Sequence, residues 1–513
     1  MKKVLIAIML CFLSFALFAV GSRQTTTTSG GRLPLNICFW WYQQDFPENE
    51  ADAFGKFIED KFNVDIKITI VDWGDYDVKY RLWAASNDLP DTFSGYITRE
   101  AFFPEFVREG LIRTIPYNYI SRFPLLKHNY DTIDIVAKMR DYYGDHYYLP
   151  RPEAEPGFRI GGNQGIFYRK DWAEKLGFTE KPRDLDALYS MLEAFVTRDP
   201  DGNGRNDTYG YAGTFDYIYE AYGAYVGRWI NGPNNRIIPG WADEGPMIQA
   251  LTWLRRAWTN NLLDTESLGT GDRAARFGQG IFGAVSGNVQ PAGFRQFVLQ
   301  QSFNNVADPL SVVDTIGSFA STRGGTQLKN FQSDTGGAVF RYNLSDELLL
   351  KYLEIWDYML SPEAIELSLW GWKDVDYRVL PDGSKDTLLS TTLRTKYPSA
   401  RLRDWASWMA ELDLREGPAF EKPIRDASMA WQLEANRAAQ NTIGLGKINE
   451  MGGFLMSSER SLFEASFDRG AALQAIISGT GDVATMYRAM LEDANRYGLQ
   501  RAIDAQTAIM RGR

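Results

Sequence analysis

Strand-like and helix-like segments alternate from residue 33 onward, and this alternation constrains the fold more than any other feature of the sequence. A strand candidate at 35–41 is followed by apolar residues at helical spacing within 48–62, and then by an alternating apolar face at 64–73. A helix-like segment at 80–86 and a short strand at 91–96 continue the order. Strand, helix, strand, helix, strand predicts an open α/β sheet.

A second α/β set starts after YYLPRP, residues 147–152. Pro150 and Pro152 interrupt any preceding element, and 165–177 then gives a strand that runs into a helix closed by Gly177. A chain of 513 residues also exceeds what one hydrophobic core usually supports. We therefore predict two lobes, with the chain crossing between them near residue 150.

The N-terminus has the three parts of a secretory signal peptide. Lys2 and Lys3 precede an apolar run, and small residues follow that run, with cleavage expected after Gly21. The run is shorter than the roughly 20 residues of a spanning helix, so a membrane anchor is the weaker alternative. Residues 1–21 are predicted to be the signal peptide and 22–32 a flexible tether, which places the protein in the periplasm or another extracytoplasmic space. Leu10 before Cys11 does not favour lipid attachment.

Composition excludes several classes of function. The formal net charge is −10 and no basic block is present, which argues against nucleic-acid binding. Only two histidines occur, neither in a zinc spacing, and there is no GxSxG nucleophile motif. Cys38 lies among apolar residues, which is typical of a buried, inert thiol. A glycosidase needs only two carboxylates, so that class of enzyme stays open.

The segment DPDGNGRND, residues 199–207, has the spacing of a calcium loop. Such a loop takes oxygens from alternate residues and needs a glycine at its sixth position, which is Gly204 here. The twelfth position, usually a bidentate Glu, is Gly210. The alternative is a solvated turn of Asp, Asn and Gly. We predict a structural Ca²⁺ site whose ligands are Asp199, Asp201, Asn203, the Arg205 carbonyl and Asp207.

Aromatic residues make up 14% of the chain and gather at the ends of predicted elements. Ligands of open α/β sheets bind beyond the carboxyl ends of the strands, and flat aromatic faces beside polar groups suit sugar rings. Core packing is the alternative for each ring taken singly. Arg151, at the crossing, either pairs with the carboxylate of an acidic sugar or ties the hinge. The candidate ligand-binding residues are Trp40, Trp41, Tyr42, Trp73, Tyr96, Arg151, Trp370 and Trp372.

Several segments together resemble family 1 extracellular solute-binding proteins, closest to the large oligosaccharide-binding branch that includes alginate-binding proteins. They are AASNDLPD, YYLPR, FYRKDWAEKLGF, DPDGNGRNDTYGYAG and LWGWKDVDYRVL, in that order. The resemblance implies a type II two-lobed periplasmic-binding-protein fold with its ligand cleft between the lobes, and the same calcium ligands as above. The alginate branch carries an acidic residue after the ninth loop position, where this chain has Thr208.

We therefore expect a binding protein and not an enzyme: a monomer that captures an oligosaccharide and delivers it to the membrane permease subunits of an ABC transporter. The N-terminal lobe is predicted to comprise residues 33–150 with a returning segment at about 325–380. The C-terminal lobe would comprise 151–324 with about 381–513. A secreted glycan-degrading enzyme with two cleft carboxylates and a peptide binder of the same fold are the alternatives.

Overall fold

The computed structural model describes most of the chain beyond the predicted signal peptide. The described residues are 31–39, 51–72, 74–100, 102–152, 164–264, 273–289, 291–298, 308–316, 334–383, 385–391, 393–406, 423–424, 426–428, 430–431 and 455–511. The predicted signal peptide, most of the tether, Cys11, and Trp40, Trp41, Tyr42 and Trp73 lie outside them.

Both halves of the described chain contain strands and helices. The strands are β1 (Leu33–Phe39), β2 (Val64–Ile70), β3 (Thr92–Gly95), β4 (Leu149–Pro152), β5 (Gln164–Arg169), β6 (Tyr209–Ala212), β7 (Trp229–Asn231), β8 (Ile237–Pro239), β9 (Leu263–Asp264), β10 (Phe282–Asn288), β11 (Val313–Ile316), β12 (Asp334–Phe340), β13 (Tyr377–Val379) and β14 (Lys385–Thr387). The helices of the first half are α1 (Ala53–Phe62), α2 (Tyr76–Ala85), α3 (Phe102–Arg108), α4 (Tyr117–Ile120), α5 (Pro124–Thr132), α6 (Asp134–Tyr143), α7 (Lys170–Lys175), α8 (Leu185–Thr197), α9 (Asp216–Ala221) and α10 (Glu244–Thr259). Those of the second half are α11 (Arg273–Gly278), α12 (Pro291–Val298), α13 (Asp346–Met359), α14 (Pro362–Trp370), α15 (Leu393–Lys396), α16 (Leu402–Ala406), α17 (Ser458–Ser466), α18 (Arg469–Ser478), α19 (Val483–Arg496) and α20 (Leu499–Arg511).

Helix α1 shows how the sequence produces these elements. The Asp52 carboxylate accepts the backbone N–H of Gly55 and so caps the first turn. Phe54, Ile58 and Phe62 then recur every four residues and are buried on one face. The helix ends at an asparagine in the left-handed conformation, a position where an L-residue other than Gly or Asn is costly.

The first sheet has five strands in the order β2-β1-β3-β12-β4. β1 runs parallel to β2 and β3, whereas β12 runs antiparallel to β3 and β4. The carboxyl ends of β1, β2, β3 and β4 therefore share one edge, and β12 starts at that edge. Cys38 is fully buried in this sheet, and burial raises the pKa of its thiol to about 12, as expected for an inert cysteine.

The core around the first sheet includes chain from beyond the returning strand β12. Leu393, Leu402 and Trp405, on α15 and α16, are buried in it beside Trp356 of α13. The indole rings of Trp356 and Trp405 meet edge to face, with centroids 4.6 Å apart. The sequence-based division placed everything after about residue 380 in the C-terminal lobe. Residues 393–406 instead pack in the core of the first sheet, because their apolar side chains cover helix α13.

The second sheet also has five strands, in the order β11-β5-β10-β6-β9. β5 runs antiparallel to its neighbours β10 and β11, while β6 is parallel to β10 and β9. Helices α8 and α10 and the C-terminal helices α17–α20 contribute buried residues to the core on this sheet. Helix α20 contacts both cores: Ala502 and Ile503 belong to the second core, whereas Ile509 packs against the first.

In the part of the chain that the structure describes, no helix combines the length and apolar character needed to cross a bilayer.

Candidate functional site

The chain crosses between the two sheets at corresponding edges. It leaves the first sheet at Pro152, the end of β4, and enters the second at Gln164, the start of β5. It leaves the second sheet at Ile316, the end of β11, and re-enters the first at Asp334. β5 runs antiparallel to β10 and β11, so it starts at the edge where those two strands end. Both crossings therefore join the edge at the carboxyl ends of one sheet to the corresponding edge of the other. Ligands of α/β sheets bind at such edges, so polar groups there are candidates for ligand binding.

Arg151 lies on the first-lobe side of the crossing, in β4. Its side chain is buried, and its Nη1 donates to the backbone carbonyl of Asp404 at 3.1 Å. The guanidinium carbon lies 5.1 Å from the centroid of the Phe39 ring, at the end of β1. Arg151 thus joins β4 to α16 and to the end of β1.

A glycine corner shapes the same edge, where β3, β12 and β4 meet. Gly336 has φ +86°, and a side chain there would bring a Cβ within 2.2 Å of the carbonyl oxygen of Gly95. A Cβ on Gly337 would lie 2.1 Å from the carbonyl oxygen of Leu149. Only glycine allows these backbones to approach so closely. The half-buried Tyr96 follows β3 at this corner, with the Arg99 guanidinium 5.5 Å from its ring centroid.

The second-lobe edge carries a fixed cluster of polar groups around Ser286 of β10. The Ser286 hydroxyl accepts the backbone N–H of Thr214 at 2.8 Å and Nη1 of Arg273, at the start of α11, at 3.4 Å. Gly213 has φ +106°, and a Cβ on it would lie 2.2 Å from Ser286 Oγ. The Tyr211 hydroxyl donates to the Thr214 carbonyl. The loop after β6 is therefore held against the end of β10, with a guanidinium beside it.

A buried ion pair supports this cluster from the neighbouring strand. Asp264 ends β9, and its side chain is fully buried, with Arg276 Nη2 of α11 3.0 Å from Oδ2. A buried carboxylate requires such compensation, because removal from water without a counter-charge costs several kcal/mol. The pair fixes α11, and with it Arg273, over the carboxyl edge of the second sheet. None of these residues is among those predicted from the sequence.

Two of the predicted tryptophans pack away from the strand ends. Trp370 is buried against Tyr377, with ring centroids 5.7 Å apart, and Lys385 lies 5.6 Å from its ring. Trp372 meets Phe57 and Tyr397 edge to face, at 6.4 and 5.0 Å between centroids. Of the predicted ligand-binding residues that the structure describes, Tyr96 and Arg151 lie at the carboxyl edge, whereas both tryptophans make packing contacts.

The loop at residues 199–207 draws its acidic side chains around Asn203. The backbone N–H groups of Asn203 and Gly204 donate to the Asp199 carboxylate, both at 3.0 Å. Asn203 Nδ2 donates to Asp201 Oδ2 at 2.8 Å and to Asp207 Oδ1 at 3.1 Å. Desolvation opposes ionisation of Asp199, but the hydrogen bonds from Gly204 and its neighbours outweigh it and lower the pKa of that carboxyl.

These contacts test whether the loop fits a cation. A partly positive amide group lies between two carboxylates, and rotation of that amide by half a turn would place Oδ1 there instead. Among the described residues, no three His, Cys, Asp or Glu side chains form a group that could hold a metal ion. The predicted set also uses an amide and a main-chain carbonyl, both of which are calcium ligands. The residue types of the loop are ones that Ca²⁺ takes as ligands.

The structure also explains why the loop departs from the full pattern. Gly210, at the twelfth position, lies in β6, and a Cβ on it would lie 2.9 Å from both Leu192 Cβ and the Leu262 carbonyl oxygen. A glutamate cannot fit there. The Thr208 hydroxyl donates to the Phe195 carbonyl at 2.6 Å and is buried, so it is directed into the lobe. Neither residue contributes a ligand from these positions.

Comparison with known proteins defines the class to which this architecture belongs. Residues 47–281 match the family model described as bacterial extracellular solute-binding protein. The resemblance seen in the sequence is therefore confirmed over residues 47–281, the part of the chain that matches this family model.

The curated relatives match parts of the chain. The polygalacturonan/rhamnogalacturonan-binding protein YtcQ of Bacillus subtilis is 31% identical over 192 residues, which cover 36% of this chain and 35% of that protein. Lipoprotein LipO of Bacillus subtilis is 22% identical over 314 residues, 59% of each chain. The fructooligosaccharide ABC transporter substrate-binding protein FusA of Streptococcus pneumoniae is 26% identical over 224 residues, 38% of this chain and 39% of that one. The chain thus spans about a third to three-fifths of the length of these relatives.

Solved structures match nearly the whole chain. An HMO-binding solute-binding protein of Bifidobacterium longum infantis aligns with a TM-score of 0.66 at 13% identity, covering 93% of this chain and 98% of that one. The alginate-binding protein AlgQ2 aligns with a TM-score of 0.62 at 17% identity, covering 94% and 99%. These similarities confirm the predicted α/β, two-lobed solute-binding-protein fold.

Proposed function

We propose that this protein captures an oligosaccharide outside the cytoplasm, in a cleft between its lobes, and delivers it to the membrane permease subunits of an ABC transporter. The observation that carries the proposal is the fixed polar cluster of Thr214, Arg273 and Ser286 at the carboxyl edge where the chain crosses to the first lobe. Backbone, hydroxyl and guanidinium groups in one place suit the many hydroxyls of a sugar.

Related proteins support carbohydrate as the ligand class. Two relatives are named for polygalacturonan/rhamnogalacturonan and for fructooligosaccharide, both of which are carbohydrates. We propose that Trp40, Trp41 and Tyr42, which directly follow β1 in sequence, supply stacking faces for the sugar. Arg151 would tie the hinge from the first lobe. The protein would act as a monomer and bind its ligand without cleaving it.

The lobe division is part of the proposal. We assign residues 33–152 and 334–406 to the N-terminal lobe, because their apolar residues share one core. Residues 164–316 and 458–503 form the C-terminal lobe, because their apolar residues make up the two clusters that pack on the second sheet. Closure would move these two bodies about the crossings, which is the hinge type of domain motion.

We propose that the loop at 199–207 binds Ca²⁺ and braces the C-terminal lobe. Its ligands would be Asp199, Asp201, Asn203, the Arg205 carbonyl and Asp207. The three aspartates among them already accept hydrogen bonds from Asn203. The loop joins the end of α8 to the start of β6, so an ion there would fix a helix against the central part of the second sheet.

Export makes a prediction about the N-terminus. Secretion in the native host should yield a chain that starts at Ser22, because Ala19 and Gly21 provide the small residues that signal peptidase requires. Intact-mass spectrometry of the secreted protein measures this directly. A mass increased by a diacylglycerol group, with Cys11 as the first residue, would show instead that the protein is a lipoprotein, as its relative LipO is named.

A binding panel tests the function against both alternatives. Neutral and acidic oligosaccharides should raise the melting temperature, because a ligand that binds only the folded state stabilises it. Oligopeptides should leave it unchanged, and chromatography should recover every saccharide intact. A melting temperature raised by peptides alone would favour a peptide binder, and shortened saccharides would show a glycan-degrading enzyme.

A further inference from the structure

A cavity of about 640 Å³ lies within the second lobe. All of its lining residues belong to two segments, 226–241 and 460–470, which are the β7–β8 hairpin with its flanking turns and the junction of α17 with α18. Its volume is within the range of small-molecule sites. None of the polar residues described above at the strand ends lines it.

The floor of the cavity is a rigid aromatic column. Trp241 stacks on Phe463 and Phe467 of α17 and its C-cap, with centroid distances of 6.1 and 5.6 Å and interplanar angles of 22° in both cases. Phe463 and Phe467 lie one helical turn apart and stack on each other. Each ring is less than a tenth exposed, so the column shapes the cavity without forming an open apolar surface.

One wall presents a carboxylate that the protein holds in place. Glu464 Oε1 accepts a hydrogen bond from Trp229 Nε1 at 2.8 Å and another from Arg460 Nε at 2.9 Å. The Arg460 guanidinium also lies 4.8 Å from the Trp229 ring centroid, and the Arg460 side chain is 9% exposed. The Glu464 side chain is 40% exposed. Glu464 is thus oriented through one oxygen and still reaches the cavity, as an acceptor for a hydroxyl group.

The charges around the cavity decide which ligands it favours. Glu464 and Asp468 disfavour an anion, and Arg228, Arg460 and Arg469 disfavour a cation. The N-terminus of α18 does not provide an anion site either, because the Asp468 carboxylate already accepts the N–H of Ala471 at 2.9 Å. A neutral molecule with several hydroxyl groups matches this mixture of donors and acceptors.

We propose that this cavity is a second binding site, for one unit of a neutral saccharide or polyol. Since every lining residue lies in the second lobe, its occupancy would not depend on lobe closure or on the ligand in the cleft. The inference does not rest on the proposed function of the cleft.

Fluorine NMR of the full chain labelled with 5-fluorotryptophan tests the proposal. Cellobiose, sucrose and xylitol serve as neutral probes, and galacturonic acid and glucosamine as charged comparators. The Trp229 resonance, assigned by its loss in Trp229→Phe, should shift in a saturable manner with at least one neutral probe. Ala465→Phe, which fills the cavity from an exposed lining position, should weaken that binding by about tenfold or more.

Two controls separate this site from other effects. Leu462→Phe adds the same ring on the same helix at a 70% exposed position outside the cavity and should leave the probe's affinity unchanged. Glu464→Ala should weaken binding as Ala465→Phe does, whereas Arg273→Ala, in the cleft, should not. The proposal is overturned if no neutral probe shifts the Trp229 resonance, if a charged comparator binds more tightly, or if Ala465→Phe and Leu462→Phe behave alike.

Discussion

Removal of calcium by a chelator is expected to lower the free energy of unfolding by about 4 kcal/mol, if the free calcium concentration before chelation is about 1,000 times the Kd. For a lobe of this size that corresponds to a fall in melting temperature of about 10 °C. Asp201→Ala should reproduce most of the fall, and the chelator should then have no further effect. The reason is that Asp201 and Asp207 lie on either side of the Asn203 amide, where one ion would link both ends of the loop. Scanning calorimetry with and without chelator measures both changes.

Glu193→Ala is the matched control for this prediction. It removes one carboxylate from an exposed position of α8, a few residues before the loop, and should retain the full chelator response.

Acid provides a second check. Because the folded-state pKa of Asp199 is lowered, its contribution is complete above the unfolded pKa and is lost as pH falls through the folded value. If chelation leaves the melting temperature unchanged in both the wild type and Asp201→Ala, the loop is a solvated turn and not a calcium site.

Arg273→Ala is expected to weaken oligosaccharide binding by about 10- to 150-fold. Hydrogen bonds from a charged donor contribute about 1.5–3 kcal/mol, and each 1.4 kcal/mol is a factor of ten in Kd. Arg273 is half-buried beside Ser286 of β10, the strand that pairs with β5 next to the crossing, so its guanidinium is placed to donate to ligand hydroxyls. Isothermal titration with the saccharide that gives the largest thermal shift measures the change.

Arg183→Ala provides the comparison for Arg273→Ala. Its side chain is 84% exposed, and among its described ion pairs it contacts only the exposed Glu180, three residues earlier in the chain. The same loss of charge should therefore leave Kd unchanged. Equal affinities for wild type and both variants would remove Arg273 from the binding site. A matching loss in both would indicate long-range attraction by net charge, which salt would abolish.

The order of elements and the position of the crossing were predictable from sequence. The predicted strands at 35–41 and 64–73 correspond to β1 and β2, and the expected crossing near residue 150 corresponds to the end of β4. These features are local: alternating apolar residues, helical spacing and proline breaks act within a few residues. The spacing of the loop at 199–207 was also visible, but the packing that excludes a side chain at Gly210 was not.

The polar cluster could not be found in the same way. Thr214 and Ser286 are separated by 72 residues and meet only through the pairing of β6 with β10. The strand that contains Ser286 was predicted, but Ser286 was not among the predicted ligand-binding residues, because most of those were aromatic residues at the ends of elements. Likewise, no local pattern tells which core an apolar helix will join, so the burial of α15 and α16 beside α13 could not be predicted from the sequence.

The most direct test of the central claim is the radius of gyration in solution, measured by small-angle X-ray scattering, before and after addition of the best-binding oligosaccharide. A ligand held between the lobes stabilises the closed arrangement, so the account predicts a smaller radius at saturation and an unchanged saccharide on recovery. Arg273→Ala should reach the same compact state only at correspondingly higher ligand concentration. A saturated protein with an unchanged radius, or a cleaved saccharide, would contradict capture between the lobes.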